Sequence, residues 1–398
     1  MCNPVAARQS RSPFEVLWVF LKLGLTSFGG PIAHIGYFRD EIVVRRRWID
    51  DAAYTDLVAL CQFLPGPASS QVGFSLGLIR AGYWGGLAAW TGFTLPSAAL
   101  MTAFAYGSGT IGGPAGRGAL HGLKLVAVAI VAQAVWGMAR TLCPDRQRAS
   151  IACLAALMIL VSTSPVAQVG TILVGAIAGL WFCRASVTTA AGALHVAVSR
   201  RVGLAALCAF LVLLATLPAL RGLSQGAALV DAFYRTGALV FGGGHVVLPL
   251  LSSAFVHPGW VSEDAFLAGY GAAQAVPGPL FTFAAYLGAV TGLSPHGVAG
   301  ALLGLIAIFL PGILILLGAL PFWSFLRQRS GAQAIIRGVN AAVVGLLGAA
   351  LYDPLWTSSV KSSGDFAVAL TGFVLLTAWR APPVMVVILG ALAGIALV

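Results

Sequence analysis

Two short stretches of this sequence combine residue types that could hold an anion. Phe28-Gly29-Gly30-Pro31 and Pro65-Gly66-Pro67 interrupt apolar sequence with residues that break helices. A helix restarting after such a break exposes its first N–H groups and the positive end of its dipole, which together suit an anion. After Pro67 these are the N–H groups of Ala68, Ser69 and Ser70, with two hydroxyls alongside. Proline at the first helical position loses no hydrogen bond there. The second half of the chain carries the same pieces, Phe241-Gly242-Gly243-Gly244 and Pro277-Gly278-Pro279, the latter followed by Leu280, Phe281 and Thr282. A proline kink in a packed helix is the plain alternative for each P-G-P. Symmetric pairs beside basic residues favour ligand binding.

Those basic residues are Lys22 and Arg235, each six positions before its glycine-rich motif and each inside apolar sequence. A cation buried in a membrane is costly and usually functional. Both lie within two turns of a segment start, so snorkelling to the interface is the competing reading. His34 and His245 stand just past the glycine motifs, where each could donate to an oxyanion, titrate, or simply pack. Gln62 and Gln274 precede the P-G-P motifs and could orient a ligand through amide N–H groups or cap free carbonyls. Asp56 is the acid placed for proton coupling, with solvation beside the Asp50-Asp51 loop as the alternative. Lys124 and Asn340 share a further repeat position and read as interface or inter-helix contacts.

The elements that must position these residues are membrane helices. Of 398 residues, 59% are hydrophobic and 9% charged, against roughly 25% charged in a soluble domain. The apolar stretches are about 20 residues long, the length that crosses a bilayer. The formal charge of +11 sits mostly between apolar segments, as in cytoplasmic loops of an inner-membrane protein, and nucleic-acid binding does not follow from it. The expected fold is all-α and polytopic, with Arg8 and Arg11 leading a first segment that is retained, because no small-residue cleavage site follows.

The sequence matches itself at an offset of about 213 residues. Phe20 and Gly24 align with Phe233 and Gly237, Trp48 with Trp260, Gln62 with Gln274, Leu95-Pro96 with Leu310-Pro311, and Gly122 with Gly338. Residues 1–183 form a first copy and 227–398 a second, with 184–226 a linker carrying one extra membrane segment, Val202 to Leu220. Arg39 and Arg45-Arg46-Arg47 precede Trp48, whereas Val256-His257-Pro258-Gly259 before Trp260 has no Lys or Arg. The loop with Arg117 faces a counterpart with Arg327 and Arg329, and Arg140, Arg146 and Arg148 face Lys361. Opposite charge at equivalent loops predicts two inverted-topology repeats with the N-terminus cytoplasmic and the C-terminus periplasmic.

The segments Phe14 to Phe28 and Ala52 to Leu64 span roughly 20 Å as helices, short of a hydrocarbon core of roughly 30 Å. Charge parity makes them, and their counterparts, re-entrant hairpins broken at the midplane. Nine full crossings (near 84–107, 118–141, 149–163, 166–183, 202–220, 296–320, 332–353, 365–379 and 381–398) then accompany four broken pairs. Reading each pair as a full span gives thirteen crossings instead. Backbone broken at that depth requires a protein-lined cavity.

Other motifs yield no chemistry. Gly107-Ser-Gly109-Thr-Ile-Gly112 has no preceding strand, and none of Lys22, Lys124 and Lys361 lies in a phosphate-binding loop. The six cysteines form no C-x-x-C pair, so no metal or cofactor is expected. Gly73-x-x-x-Gly77, Gly175-x-x-x-Gly179, Gly300-x-x-x-Gly304 and Gly390-x-x-x-Gly394 predict close helix packing. No redox or nucleophile constellation supports a membrane enzyme, and a scaffold would not need bases at matched positions.

F-x-x-x-G-x-x-x-F-G-G-P, the Trp48 region, P-G-P and their recurrence in the second half resemble the chromate ion transporter family in its long, two-domain form, over essentially the whole chain. The resemblance implies an inner-membrane exporter of chromate that confers chromate resistance, with sulfate or another oxyanion as the alternative cargo and a homodimer as a candidate assembly. It carries over Lys22, Ser27, Phe28, Gly29, Gly30, Pro31, Pro65, Gly66, Pro67, Phe241, Gly242, Gly243, Gly244, Pro277, Gly278 and Pro279 as site positions. Gly244 stands where the first copy has Pro31, so the copies need not bind alike.

Overall fold

In a computed structural model of the chain, the structure describes residues 12–108, 113–162, 165–183, 198–241, 244–326 and 329–397. Among the described residues there is no strand, and the architecture is that of an all-α, polytopic membrane protein. Gly242 and Gly243, like Arg8, Arg11 and Arg327, lie outside the described residues.

Helix breaks fall where the glycine and proline motifs stand. Helix α1 (Pro13–Thr26) starts on Ser12, whose hydroxyl accepts the Phe14 N–H, with proline in the first turn. It ends ahead of Gly29, whose φ of 99° is left-handed, and the chain resumes as α2 (Gly30–Phe38) and a π-helical stretch, Arg39–Arg45. Helix α3 (Asp51–Phe63) is capped by Asp50 and stops before Pro65; α4 (Ala68–Ser108) follows Pro67 and is itself bent at Ala81 and Gly82. Three more helices complete the first copy: α5 (Gly113–Leu142), α6 (Arg146–Val161) and α7 (Pro165–Phe182). Helix α8 (Arg200–Leu220) stands between the copies.

The second copy repeats this plan with α9 (Gln225–Leu239), α10 (Val247–Leu251), a π-helical stretch at Ser252–Val256, α11 (Glu263–Ala273), α12 (Phe283–Val290) and α13 (Gly297–Ala319). A short turn α14 (Trp323–Leu326), then α15 (Ser330–Ala350), a turn α16 (Thr357–Ser359), α17 (Ser363–Thr377) and α18 (Pro383–Leu397) finish it. The π-helical stretches at Arg39–Arg45 and Ser252–Val256 occupy equivalent positions. One expectation needs correction: the helix after Pro279 does not restart as an α-helix but as a 3-10 turn, Leu280–Thr282, ahead of α12. Among the described residues, five helical stretches are long and apolar enough to cross a membrane: Ala68–Gly107, Gly113–Leu142, Arg200–Leu220, Gly297–Phe322 and Ser330–Ser359. The broken pairs are made of shorter pieces.

Contacts at the ends of the broken pairs favour hairpins over full spans. Glu15, at the start of α1, pairs with Arg46 at 3.5 Å and with Arg80 at 3.0 Å. Arg46 ends the first broken pair and Arg80 the second, so both return to the level from which α1 began. In the second copy Gln225 Oε1 accepts the Ser294 N–H at 2.7 Å, and Trp260 C=O accepts the Gly292 N–H at 3.1 Å. A full span in either place would separate these partners by the roughly 30 Å hydrocarbon core.

The copies are interwoven. Gly122 of α5 packs against Gly390 and Gly394 of α18, while its counterpart Gly338 of α15 packs against Gly175 and Gly179 of α7. Likewise Gly345 of α15 meets Ala155 of α6, and Ala129 of α5 meets Gly372 of α17. Each copy therefore lends its last two helices to the other, seated on close backbone approach between small residues. Gly338→Ala should lower the melting temperature of the detergent-purified protein, because the new methyl overlaps the Gly175 carbonyl. Gly348→Ala, on the same helix with nothing within 4 Å, should leave it unchanged or raised. Equal behaviour of the two variants contradicts the swapped packing.

Candidate functional site

Where the hairpin tips meet, each copy closes the broken backbone of the other. The Gly66 N–H donates to the Val240 carbonyl at 2.7 Å, and the Gly278 N–H donates to the Ser27 carbonyl at 2.9 Å. Ser27 and Val240 are equivalent positions at the ends of α1 and α9, and Gly66 and Gly278 are the centres of the two P-G-P motifs. Reciprocal contacts of this kind are the mark of a two-fold relation. Both centres hold left-handed backbone, which glycine adopts without strain: φ is 114° at Gly66 and 98° at Gly278. A Cβ on Gly66 would meet Gly312 Cα at 2.9 Å, and one on Gly278 would meet Ser97 Oγ at 2.7 Å. Ser97 and Gly312 again correspond, each following the proline of its own long helix, Pro96 or Pro311.

Polar side chains crowd the first-copy side of the crossing. His34 Nδ1 lies 3.4 Å from Ser69 Oγ, and its ring stands edge-on to Phe93 with centroids 5.2 Å apart. Ser27, His34, Ser69, Ser70 and Thr94 are all buried. The hydroxyls of Ser27, Ser70 and Thr94 have no hydrogen-bond partner there. Leaving a buried donor unpaired costs about 1–3 kcal/mol, and such a cluster can serve a guest that accepts hydrogen bonds. On the second-copy side His245 Nδ1 lies 2.8 Å from the Tyr270 hydroxyl, Gln274 Nε2 is buried without a partner, and the Thr282 hydroxyl donates to Pro279 C=O at 2.8 Å. Gly29, Gly30 and Pro31 form the turn into α2, and Gly244 opens the 3-10 turn that holds His245.

The two cations are not brought together. Arg235 binds Asp231 at 2.7 Å and lines a cavity of about 690 Å³ bounded by α7, α9 and the His257–Trp260 turn. Lys22 is exposed and is not among the residues lining that cavity. Gln62 is exposed too; the glutamine that serves the motif is Gln71, whose Nε2 donates to Pro65 C=O and Gly312 C=O, both at 2.9 Å. Asp56 is not solvated beside its acidic neighbours, as its sequence surroundings suggest. It is 2% exposed and accepts the Trp323 indole N–H at 3.0 Å. Lys124 joins Asp264 at 2.7 Å across the copies, an inter-helix contact as expected. Sequence reasoning passed over Gln71, Thr94, Tyr270 and Asp231. Only Asp231 had a readable signal, an acid four positions before an arginine on one helix face. Among the described residues, no group of three or more His, Cys, Asp or Glu side chains is placed to hold a metal ion.

Broken helices that cross at the centre of a polytopic all-α chain, with unpaired donors around the crossing, define a membrane transporter of the kind built from internal repeats. The chain belongs to the chromate transporter family, whose sequence profile, described as chromate transporter, matches residues 14–180 and again 227–395. A chromate transport protein of Pseudomonas aeruginosa is 31% identical, over 94% of this chain and 90% of its own length. A probable chromate transport protein of Synechococcus elongatus is 26% identical, over 94% and 93% respectively. A chromate transport protein of Cupriavidus metallidurans is 25% identical, over 96% and 92%. No solved structure matches the chain.

Gln71→Leu removes both bonds that tie the first P-G-P motif to α13, one of them to the buried Gly312 carbonyl. We expect a stability loss of about 1–3 kcal/mol, read as a lower melting temperature of the purified protein. An unchanged melting temperature contradicts the bridging role.

Proposed function

We propose that the chain exports chromate across the bacterial inner membrane, giving chromate resistance, by alternating access around the crossing of the two copies. The observation that supports this reading is the set of buried, unpartnered hydroxyls on Ser27, Ser70 and Thr94 beside the reciprocal backbone bonds. Chromate offers four oxygens and two negative charges to such a shell. Sulfate is also a tetrahedral dianion, and these donors read oxygens rather than the central atom, so sulfate competes for the same place. Lys22 and Arg235 supply positive charge on the two approaches, and the amide groups after Pro67 and Pro279 supply dipoles.

Parity supports an inverted topology. The hairpin mouths near Glu15 and Gln225 are separated by the second stretch of α4 and by α5, α6, α7 and α8, five segments in all. If each of the five crosses, the mouths open on opposite faces, and the positive-inside bias favours a cytoplasmic arginine-rich mouth and a periplasmic C-terminus. Outward movement of a dianion from a negative interior gains roughly 4–5 kcal/mol per 100 mV, which drives efflux without ATP.

Labelled chromate counterflow in proteoliposomes tests the transport reading. The natural chain should move chromate at a rate that responds to imposed voltage, and a Ser27→Ala, Ser70→Ala, Thr94→Ala variant of normal stability should lose about tenfold or more. Absence of chromate movement by stably folded protein sinks the proposal. Single cysteines at Ala52 and Pro258 in a cysteine-free background test the topology: an impermeant thiol reagent should reach them from opposite faces, and labelling of both from one face contradicts the inversion.

A further inference from the structure

The cavity beside α9 holds an arrangement that the repeat does not require. Asp231 is 2% exposed, its Oδ2 binds Arg235 at 2.7 Å, and its Oδ1 is buried without a partner. Arg235 Nε is likewise unpaired. Both side chains line the cavity of about 690 Å³ together with Arg221, His257, Gln168 and Ser253. Ser253 is 5% exposed, and its hydroxyl has no partner, so a buried donor stands at the cavity wall in addition to the guanidinium. The position equivalent to Asp231 in the first copy is Trp18, which is 59% exposed, and Lys22 has no acid four residues before it. The fold is therefore built without the acid in one copy and with it in the other.

We infer that Asp231 is a tethered competitor of the transported oxyanion at Arg235: the carboxylate occupies the guanidinium until an anion enters the cavity, and it yields that place as the neutral acid. The inference rests on the oxyanion-transport reading and assigns this acid a role within it. An arginine presents two parallel N–H groups to a carboxylate or to an oxyanion, so the two ligands exclude one another. An unpaired carboxylate in so closed a place is far costlier than a carboxylic acid, so release takes one proton from the cavity water, and re-pairing returns it. The charged or titratable groups facing Asp231 are Arg235 on its own helix, Arg221 from the end of α8 and His257 beyond the π-helical stretch; α7 contributes the neutral Gln168. Two arginines for one acid leave net positive charge for an arriving dianion. The first copy lacks the competitor, so the two approaches to the crossing differ in their response to pH.

The test is KM for chromate uptake into proteoliposomes at pH 7.5 and pH 6, for the natural chain, Asp231→Asn and Asp231→Glu. Protonation of chromate itself is common to all three proteins and cancels in their ratios. Asp231→Asn should lower KM about tenfold at pH 7.5 and remove the excess pH dependence, whereas Asp231→Glu should keep it. Sulfate-induced rise in melting temperature of the natural chain gives a second reading that needs no variant, and it should grow as pH falls. Chromate transport with the same KM and pH profile in Asp231→Asn, or a sulfate effect independent of pH, overturns the competitor role while leaving the transport reading intact. No chromate movement by the natural chain overturns the transport reading instead.

Discussion

A broken helix inside a membrane leaves carbonyl and amide groups that lipid cannot satisfy, and everything else in this fold accommodates that cost. The carbonyls of Ser27 and Val240 end α1 and α9 with no next turn to bond them. Each accepts the N–H of a glycine from the other copy, Gly278 or Gly66. Those glycines can approach only because their φ values are positive and because Ser97 and Gly312 leave room. Neither copy is complete alone. The exchange of α6 and α7 for α17 and α18 extends the same dependence to the periphery, where glycine faces glycine across the swap.

Closing the backbone in this way frees side chains for other work. Ser27 gives its carbonyl to the partner copy and keeps its hydroxyl unpaired, within the same cluster as His34 and Ser70. The second copy is drier at the equivalent places. Phe281 replaces Ser69, and Thr282 spends its hydroxyl on Pro279. Its polar resources lie further out, in Arg235, Asp231 and the cavity they line. In the proposed transport route, two similar sequences thus supply dissimilar halves, a hydroxyl-lined centre and a charged approach.

Much of this was legible in the sequence, because repeats and helix breakers act locally. The offset of about 213 residues aligns Phe28 with Phe241, and Gly66 with Gly278. Helix ends followed from proline and glycine, and charge parity pointed to hairpins. Partner choice was not legible. A G-x-x-x-G stripe says that a helix packs closely but does not name the neighbour, so the swap of Gly122 onto α18 stayed hidden. Asp56 looked solvated from Asp50 and Asp51, whereas its partner Trp323 is 267 positions away. Gln71 bonds 241 positions away, for the same reason beyond the reach of local reading.

The crossing itself can be trapped covalently. In a cysteine-free background with a protease site between α7 and α8, Ser97→Cys is paired with Gly278→Cys, whose Cβ atoms lie about 3.4 Å apart, close to disulfide geometry. After oxidation and cleavage, the account predicts one band at full-length mass on a denaturing gel, and the same for Gly66→Cys with Gly312→Cys. Two separate half-length fragments from both pairs, in protein that remains folded, would contradict it.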